Sequence, residues 1–569
     1  MTTHVQNGKN CRTQTDRMVQ AEIGFLQGPY VHGISRHASQ IEGGKVLEKG
    51  IEGRGTQKNI RMREEKMELR SFTVYDIFKR NATLFKNQIG IQSENQKITY
   101  GELFDQTNRV AGWLNGKGIR KGDRIAILAK NYPQFFPLMG GIASAGAIMV
   151  PIHFRLSTEE IGYNLTNTEP IMIVVDPDFE KTISELRGIC PSLKEFVTFG
   201  PGGGNYTPFD SLLKSQPVTS VPLSGDDPFV IMHTAAVQGK PRGAVISHHN
   251  LITCTIQNIA IMGLTREDTY LNILPLFHIA GMFGALVMMH VGGKNVMISK
   301  FDPKLTGKVI DQEKVTLIGD FPPILLQLLD EQAKGEFTLL SLKHILGIDV
   351  QETIKRFESI GDGQFWLVYG QTETMGLTSV CSNREKPGCA GKPGPLVDIK
   401  IINEFDHEVE TGKVGEILVR SPLVFLGYWR EEELTKHTFR DGWHHTGDAG
   451  RLDENGYLWF AGRKAEKELI KPGGENVYPV EVEKVILEHP NVQEVSVIGV
   501  PDPKFGEGIK AVCVLKPKAK LTEQELIDFV GGRIARFKKP GYVVWVDSLP
   551  KKEDGSIDRQ RVKELYGKQ

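Results

Sequence analysis

The sequence predicts an α/β protein: a large N-terminal domain of mostly parallel sheets flanked by helices, plus a small, mobile α+β C-terminal domain. Three observations lead there. A chain of 569 residues is too long for a single hydrophobic core, so at least two domains are expected. From Thr73 the apolar pattern alternates between helical and extended periods, joined by connections rich in Gly, Pro and Asp, as in parallel sheets covered by helices. After Gly462 the texture changes to a charged stretch, RKAEKE, followed by about a hundred residues, enough to fold by themselves.

In chain order, TVYDIFKRNATLF (73–85) predicts a helix, IGIQ (89–92) a short strand, TYGELFDQTNRVAGWLNGKG (99–118) a helix and RIAILAK (124–130) a strand. PQFFPLMGGIASAGAIMVPI (133–152) reads as a helix running into a strand, and PIMIVVD (170–176) and DPFVIMHT (227–234) as strands. The most apolar stretch, ILPLFHIAGMFGALVMMHVG (273–292), approaches membrane-spanning length, but Pro275, His278 and its glycines favour a buried core helix after a turn. Beyond the charged stretch come a helix at EVEKVILEHP (481–490), strands at EVSVIGV (494–500) and KAVCVLKP (510–517), an amphipathic helix at 522–537 and a strand at YVVWVD (542–547). The domains are accordingly drawn at 67–462 and 463–569, with 463–468 as the hinge candidate.

Lys plus Arg and Asp plus Glu number 69 each, which argues against a nucleic-acid or anionic-membrane binder and leaves small anionic ligands open. Six cysteines lie far apart with no CxxC pair or zinc spacing, so reduced thiols in a cytoplasmic protein are expected. Residues 1–66 are poor in periodic apolar positions and lack a signal-peptide layout. They read as a disordered extension or as a start upstream of the natural one, at Met62 or Met67.

Three strings carry chemistry: YGQTE at 369–373, GWHHTGDAGRLDENGYLWFAGR at 442–463, and at once KAEKELIKPGGENVYPVEVE. Asp448 suits a cis-diol, because one carboxylate accepts two hydroxyl donors; a turn cap after Gly447 is the plainer account. In this order the strings resemble the adenylate-forming superfamily of acyl-CoA synthetases, non-ribosomal peptide adenylation domains and luciferases, most closely a fatty-acid or aryl acyl-CoA ligase, over residues 70–569.

The resemblance implies roles residue by residue. Tyr369, with Gly370 and Gln371, would face the adenine, Thr372 the α-phosphate and Glu373 a Mg²⁺ ion. Asp448 would take the ribose hydroxyls with Arg463 beside it. Gly473, Gly474 and Glu475 belong to a loop that swings in for thioester formation with CoA, and Lys467 and Glu468 match the hinge, with two extra residues before them. His278 falls where the family has an aromatic or histidine between acyl pocket and CoA tunnel; a packed core histidine is the alternative. Ile279, Met282, Phe283, Leu286 and Trp366 are candidate pocket walls or simply core.

Two signatures depart from the family. The phosphate loop reads HTAAVQGKPRGA: Thr234, Gly239, Pro241 and Gly243 align and Arg242 replaces the usual lysine, leaving Thr234, Gly239, Lys240 and Arg242 to hold phosphates, but Ala235, Ala236, Val237 and Gln238 replace hydroxyls and glycines. In LPKKEDGSIDRQRVK, Ser556 stands where the family carries a lysine bridging carboxylate and α-phosphate. Losing such a donor typically slows a reaction roughly 10²- to 10³-fold. Lys551, Lys552 and Arg559 are the nearby substitutes, and LGIDV at 346–350 replaces the usual paired glycines. The expected activity is an ATP-dependent acyl-CoA synthetase acting on a medium- or long-chain or aryl acid, with ATP, Mg²⁺ and CoA, or an acyl-carrier protein as acceptor. The rival is an impaired homologue, restricted to the thioester half-reaction or to binding nucleotide or acyl-CoA.

Overall fold

Helices begin where a side chain closes the first turn. In the helix Tyr100–Gly116, Thr99 Oγ1 accepts from the Glu102 amide at 3.2 Å, while the Glu102 carboxylate takes the Thr99 amide at 2.8 Å. Thr522 and Glu525 repeat the device at the helix Glu523–Gly531. The computed structural model describes residues 71–237, 240–463, 469–552 and 555–568. Residues 1–70, Met62 and Met67 among them, lie outside the described residues.

Two sheets are largely parallel. The nine-stranded sheet has at its centre Gln364–Tyr369, His344–Gly347, Leu317–Asp320, Thr269–Asn272 and Lys294–Met297, all parallel, with antiparallel strands at its edges. The eight-stranded sheet is parallel through Ile148–Pro151, Arg124–Leu128, Met172–Val175 and Glu195–Thr198. The stretch 273–292 yields the helix Ile279–Val291, buried almost all round and closed by Gly292 at φ 79°. This follows from its apolar surface on every side. No helix among the described residues is long and apolar enough to cross a membrane.

The structure also departs from the sequence expectation. A five-stranded antiparallel sheet, built on Asp398–Ile402, Gly415–Arg420 and Trp443–Leu452, was not anticipated. The strand expected at 227–234 runs on as Pro228–Val237 and returns antiparallel as Lys240–Ser247, so the segment read as a phosphate-wrapping loop is largely a hairpin. Ala-Ala-Val, without the glycines that let a backbone coil around an anion, favours extended structure. The amphipathic helix stops at Gly531, where the paired glycines Gly531 and Gly532 end it, and a short 3₁₀ turn Arg536–Lys538 follows. The last helix, Arg559–Tyr566, was missed because only Val562 in it is buried.

The smaller C-terminal domain stacks helices on Val492–Asp502, Gly506–Leu515 and Tyr542–Trp545. Its buried apolar residues, Ile470 to Val562, form clusters separate from those of the larger domain. All five described cysteines are buried and unlinked, but Cys381 and Cys389, eight residues apart, bring their sulfurs to 3.2 Å.

Candidate active site

The carboxyl ends of the parallel strands meet the five-stranded sheet at a cleft of about 840 Å³. Strand Gln364–Tyr369 delivers Tyr369 there, and the chain then folds back through a 3₁₀ turn at Thr372–Thr374, with Met375 at φ 58°. The fold-back needs Gly370, because a Cβ there would lie 2.3 Å from the Gly376 carbonyl carbon. Opposite, Trp443–Leu452 and Leu458–Arg463 form a hairpin whose turn is held by Asp453, which accepts from the amides of Asn455 and Tyr457 at 3.0 Å. That hairpin sets Asp448 directly across from Arg463.

Around Asp448 the predicted residues converge. Tyr369 donates its phenol to Oδ2 at 3.0 Å, Gln371 donates Nε2 to the same oxygen at 2.6 Å, and Arg463 Nε stands 3.4 Å from Oδ1. Burial and the adjacent Asp448 push the Tyr369 phenol well up, so it stays a neutral donor. Glu373, also buried, accepts from the Tyr428 hydroxyl at 2.8 Å, and the Arg242 guanidinium lies 5.8 Å over the Tyr428 ring. Thr234 and Arg242 line the cleft, Thr234 Oγ1 donating to the Arg242 carbonyl at 3.4 Å. Gly239 and Lys467 lie outside the described residues, and of Lys240 only the backbone is described. No group of three or more His, Cys, Asp or Glu among the described residues would hold a metal. A single buried carboxylate is nonetheless what Mg²⁺ asks of a protein when phosphates and water complete its shell.

Two smaller cavities open from this cleft. One, about 100 Å³, is apolar and walled by Leu274, Ile279, Phe283, Leu317 and Leu346. The other, about 80 Å³, runs past His153, Phe277, Glu475 and Phe537. Thr372 and Asn476 border all three spaces, and His278 borders the two smaller ones. His278 thus borders two cavities and is at the same time a packed, hydrogen-bonded residue. Its Nδ1 caps the following helix, accepting from the Ala280 amide at 3.3 Å, and burial pushes its pKa down to about 4, leaving a neutral ring at the junction. Of the candidate walls, Ile279 and Phe283 face the apolar cavity, whereas Met282, Leu286 and Trp366 pack in the main core.

The GGEN loop is seated. Gly473 (φ 58°) and Gly474 (φ 84°) hold left-handed conformations, and a Cβ on Gly474 would press the Phe321 ring at 2.8 Å. Glu475 then reaches across to the larger domain, 2.9 Å from His153 Nε2 and accepting from Arg155 at 2.8 Å. Burial alone would raise this carboxyl, but His153, Arg155 and His278 hold it at about 2. The His153 ring stacks on Phe277 at 4.3 Å and on Phe537 at 5.1 Å. Lys538 adds a second tie, bridging Glu160 and Glu481 at 2.5 and 2.8 Å.

Ser556 is exposed and absent from the residues lining the cleft. Of its proposed substitutes, Lys551 pairs with Glu494, while Lys552 and Arg559 both line the cleft, Arg559 being held on both oxygens of Glu483. The residue that sequence reasoning missed is Lys471, which borders both the cleft and the apolar cavity. Burial, then the neighbouring Arg463, lowers its pKa to about 8. Its place just before the two glycines was the available signal. In the 346–350 loop, Gly347 and Ile348 line the cleft, and Asp349 approaches the buried Asp320; burial and this neighbour push the Asp320 carboxyl far up.

A family model described as AMP-binding enzyme matches residues 78–429, and one described as AMP-binding enzyme C-terminal domain matches 481–556. The indoleacetate–CoA ligase of Aromatoleum aromaticum is 31% identical over 498 residues, covering 86% of this chain and 97% of that protein. The long-chain-fatty-acid–CoA ligase of Bacillus subtilis is 31% identical over 534 residues, covering 86% and 94%. Among solved structures, a double mutant of the o-succinylbenzoate CoA synthetase of Bacillus subtilis, bound with its product analogue, is similar with a TM-score of 0.76 at 27% identity, over 87% of this chain and 98% of that one.

Proposed function

This chain belongs to the AMP-binding enzyme family, and on that premise we propose that it is an ATP-dependent acyl-CoA synthetase working in two half-reactions. In the first, a carboxylate oxygen attacks the α-phosphorus of ATP, and pyrophosphate leaves. In the second, the CoA thiol attacks the acyl-adenylate carbonyl, and AMP leaves as the thioester forms. The observation that carries this reading is the meeting of Tyr369, Gln371 and Arg463 on one carboxylate, Asp448, in a cleft that shares Thr372 with an apolar cavity and a further channel.

In this reading Asp448 binds the ribose hydroxyls, Tyr369 lies against the adenine, and Thr372 stands at the α-phosphate where the three spaces join. Glu373 holds Mg²⁺, which when bound neutralises charge on the phosphates. Lys471, between nucleotide and acyl carboxylate, supplies the cation that Ser556 does not. The channel beside Glu475, Phe277 and neutral His278 admits the pantetheine arm. The relatives act on acids as different as indoleacetate and long-chain fatty acids, so the acid is read from the cavity.

The test is pyrophosphate release with a panel of carboxylic acids, with and without CoA. Acid-dependent release followed by CoA-dependent thioester is expected; ATP binding without AMP from any acid refutes the reading. The second reading, an impaired homologue, draws on Ser556 and on the hairpin at 228–247. It requires that Ser556→Lys raise adenylation by orders of magnitude. An acyl-carrier protein as acceptor is tested by replacing CoA with a phosphopantetheinyl carrier.

A further inference from the structure

The deep wall of the apolar cavity carries a hydroxyl with nothing to bond. Tyr270 is 2% exposed and lines the cavity, and its phenol oxygen has no hydrogen-bond partner among the described residues. Other buried phenols in this fold are satisfied: Tyr100 donates to the Gly293 carbonyl at 2.6 Å, Tyr369 to Asp448 and Tyr428 to Glu373. A buried hydroxyl left unpaired is an exception that calls for a ligand or a role.

The surroundings leave this hydroxyl uncovered. It faces Gly284 and Gly319, where a Cβ would come within 2.5 and 3.7 Å of it, and none of the polar residues that also line the cavity, His278, Gln371, Thr372, Lys471 and Asn476, makes a hydrogen bond to it. Its depth follows from strand register. Tyr270 pairs with Leu317, Leu317 with His344 and His344 with Gln364, so Tyr270 stands level with Gln364. Tyr369, where the chain turns into Gly370–Thr372, lies five residues further along that strand, about 16 Å toward the cleft at ~3.3 Å per residue.

We infer that Tyr270 is a specificity-determining residue which hydrogen-bonds a polar group at the end of the acyl substrate remote from its carboxylate. The favoured acids are then compact, with one ring or a short chain bearing a distal hydroxyl, carbonyl or ring N–H. The cavity's size, about 100 Å³, suits a compact acid and leaves no room for a long unbranched alkyl chain. The inference rests on the ligase reading, because it takes this cavity as the acyl site.

The experiment compares acyl-CoA formation from matched acids, 3-phenylpropanoate against 3-(4-hydroxyphenyl)propanoate and hexanoate against 6-hydroxyhexanoate, in wild type and Tyr270→Phe. The wild type should favour the hydroxylated member of at least one pair in kcat/KM, and Tyr270→Phe should lower that ratio ~10-fold. A wild-type preference for the plain acids, or a ratio unmoved by the substitution, overturns the assignment. Should no acid turn over at all, the ligase reading fails, and calorimetric binding of the same acids to both proteins still decides whether Tyr270 reads the hydroxyl. Binding that does not distinguish the two proteins overturns it there. Gly284→Ala, which sets a methyl against the hydroxyl, should reduce the hydroxylated acid's advantage by the same route.

Discussion

Replacing Lys471 by methionine should remove activity and add stability. The ammonium borders both nucleotide cleft and apolar cavity, and Ser556 contributes no charge of its own. Deleting one charge-stabilising donor of this kind slows the step it serves by roughly 10²- to 10³-fold. The lowered pKa, about 8 against 10.5 for an ordinary lysine, supplies two further readouts. At pH 7 the amine is roughly nine-tenths charged, so acid-dependent pyrophosphate release in the wild type should fall as pH rises through about 8. Between about 8 and 10.5 the unfolded chain holds the proton more tightly than the folded one, so wild-type stability rises with pH across that window. Lys471→Met lacks this slope and avoids burying a charge, gaining on the order of 2 kcal/mol near neutrality. The assays are pyrophosphate release against pH and urea unfolding at pH 7 and 9.5. Release within threefold of wild type, with an unchanged pH profile, refutes the assignment. Ser556→Lys introduced into Lys471→Met should restore part of the rate.

Asp448→Ala leaves Tyr369, Gln371 and Arg463 without their shared acceptor, and the KM for ATP should rise roughly 10²-fold or more; steady-state kinetics with ATP varied will show it. Glu475→Gln keeps the shape but drops the charge facing His153 and Arg155. It should slow thioester formation from supplied acyl-adenylate about tenfold while leaving pyrophosphate release much less affected, a split read by single-turnover assays. The Asp320 and Asp349 carboxyls are both raised, so the stability they provide is complete below about pH 4 and declines as pH climbs through their folded values. Asp349→Asn should flatten that decline in urea melts taken from pH 4 to 8.

That Arg463 would stand beside Asp448 was legible from the ordered TGD and GR strings, whereas the bulge between Ala449 and Gly450 that sets the two residues directly opposite was not. Likewise the parallel strands and the helix at 279–291 announced themselves by long apolar periods. For Lys471 the sequence offered only its place before the two glycines; which spaces it borders depends on where that loop is seated against Phe321, a contact between distant segments. Tyr270 read only as a strand residue; its unpaired hydroxyl emerges from two glycines, one nearly fifty residues further along the chain and facing it from another strand. The approach of Asp349 to Asp320 and of Cys381 to Cys389 is likewise tertiary. The helix Arg559–Tyr566 stayed hidden because one buried valine gives no periodicity to detect.

The ties between the two domains are ionic and aromatic: Glu475 with His153 and Arg155, Lys538 between Glu160 and Glu481, and His153 stacked on Phe537. No buried apolar cluster spans that boundary among the described residues. Separating such surfaces exchanges protein partners for water and counter-ions instead of baring an oily face, so product exchange need not pass through a sticky, aggregation-prone species. Raised ionic strength should therefore act like a lubricant on this joint while leaving each half's interior untouched.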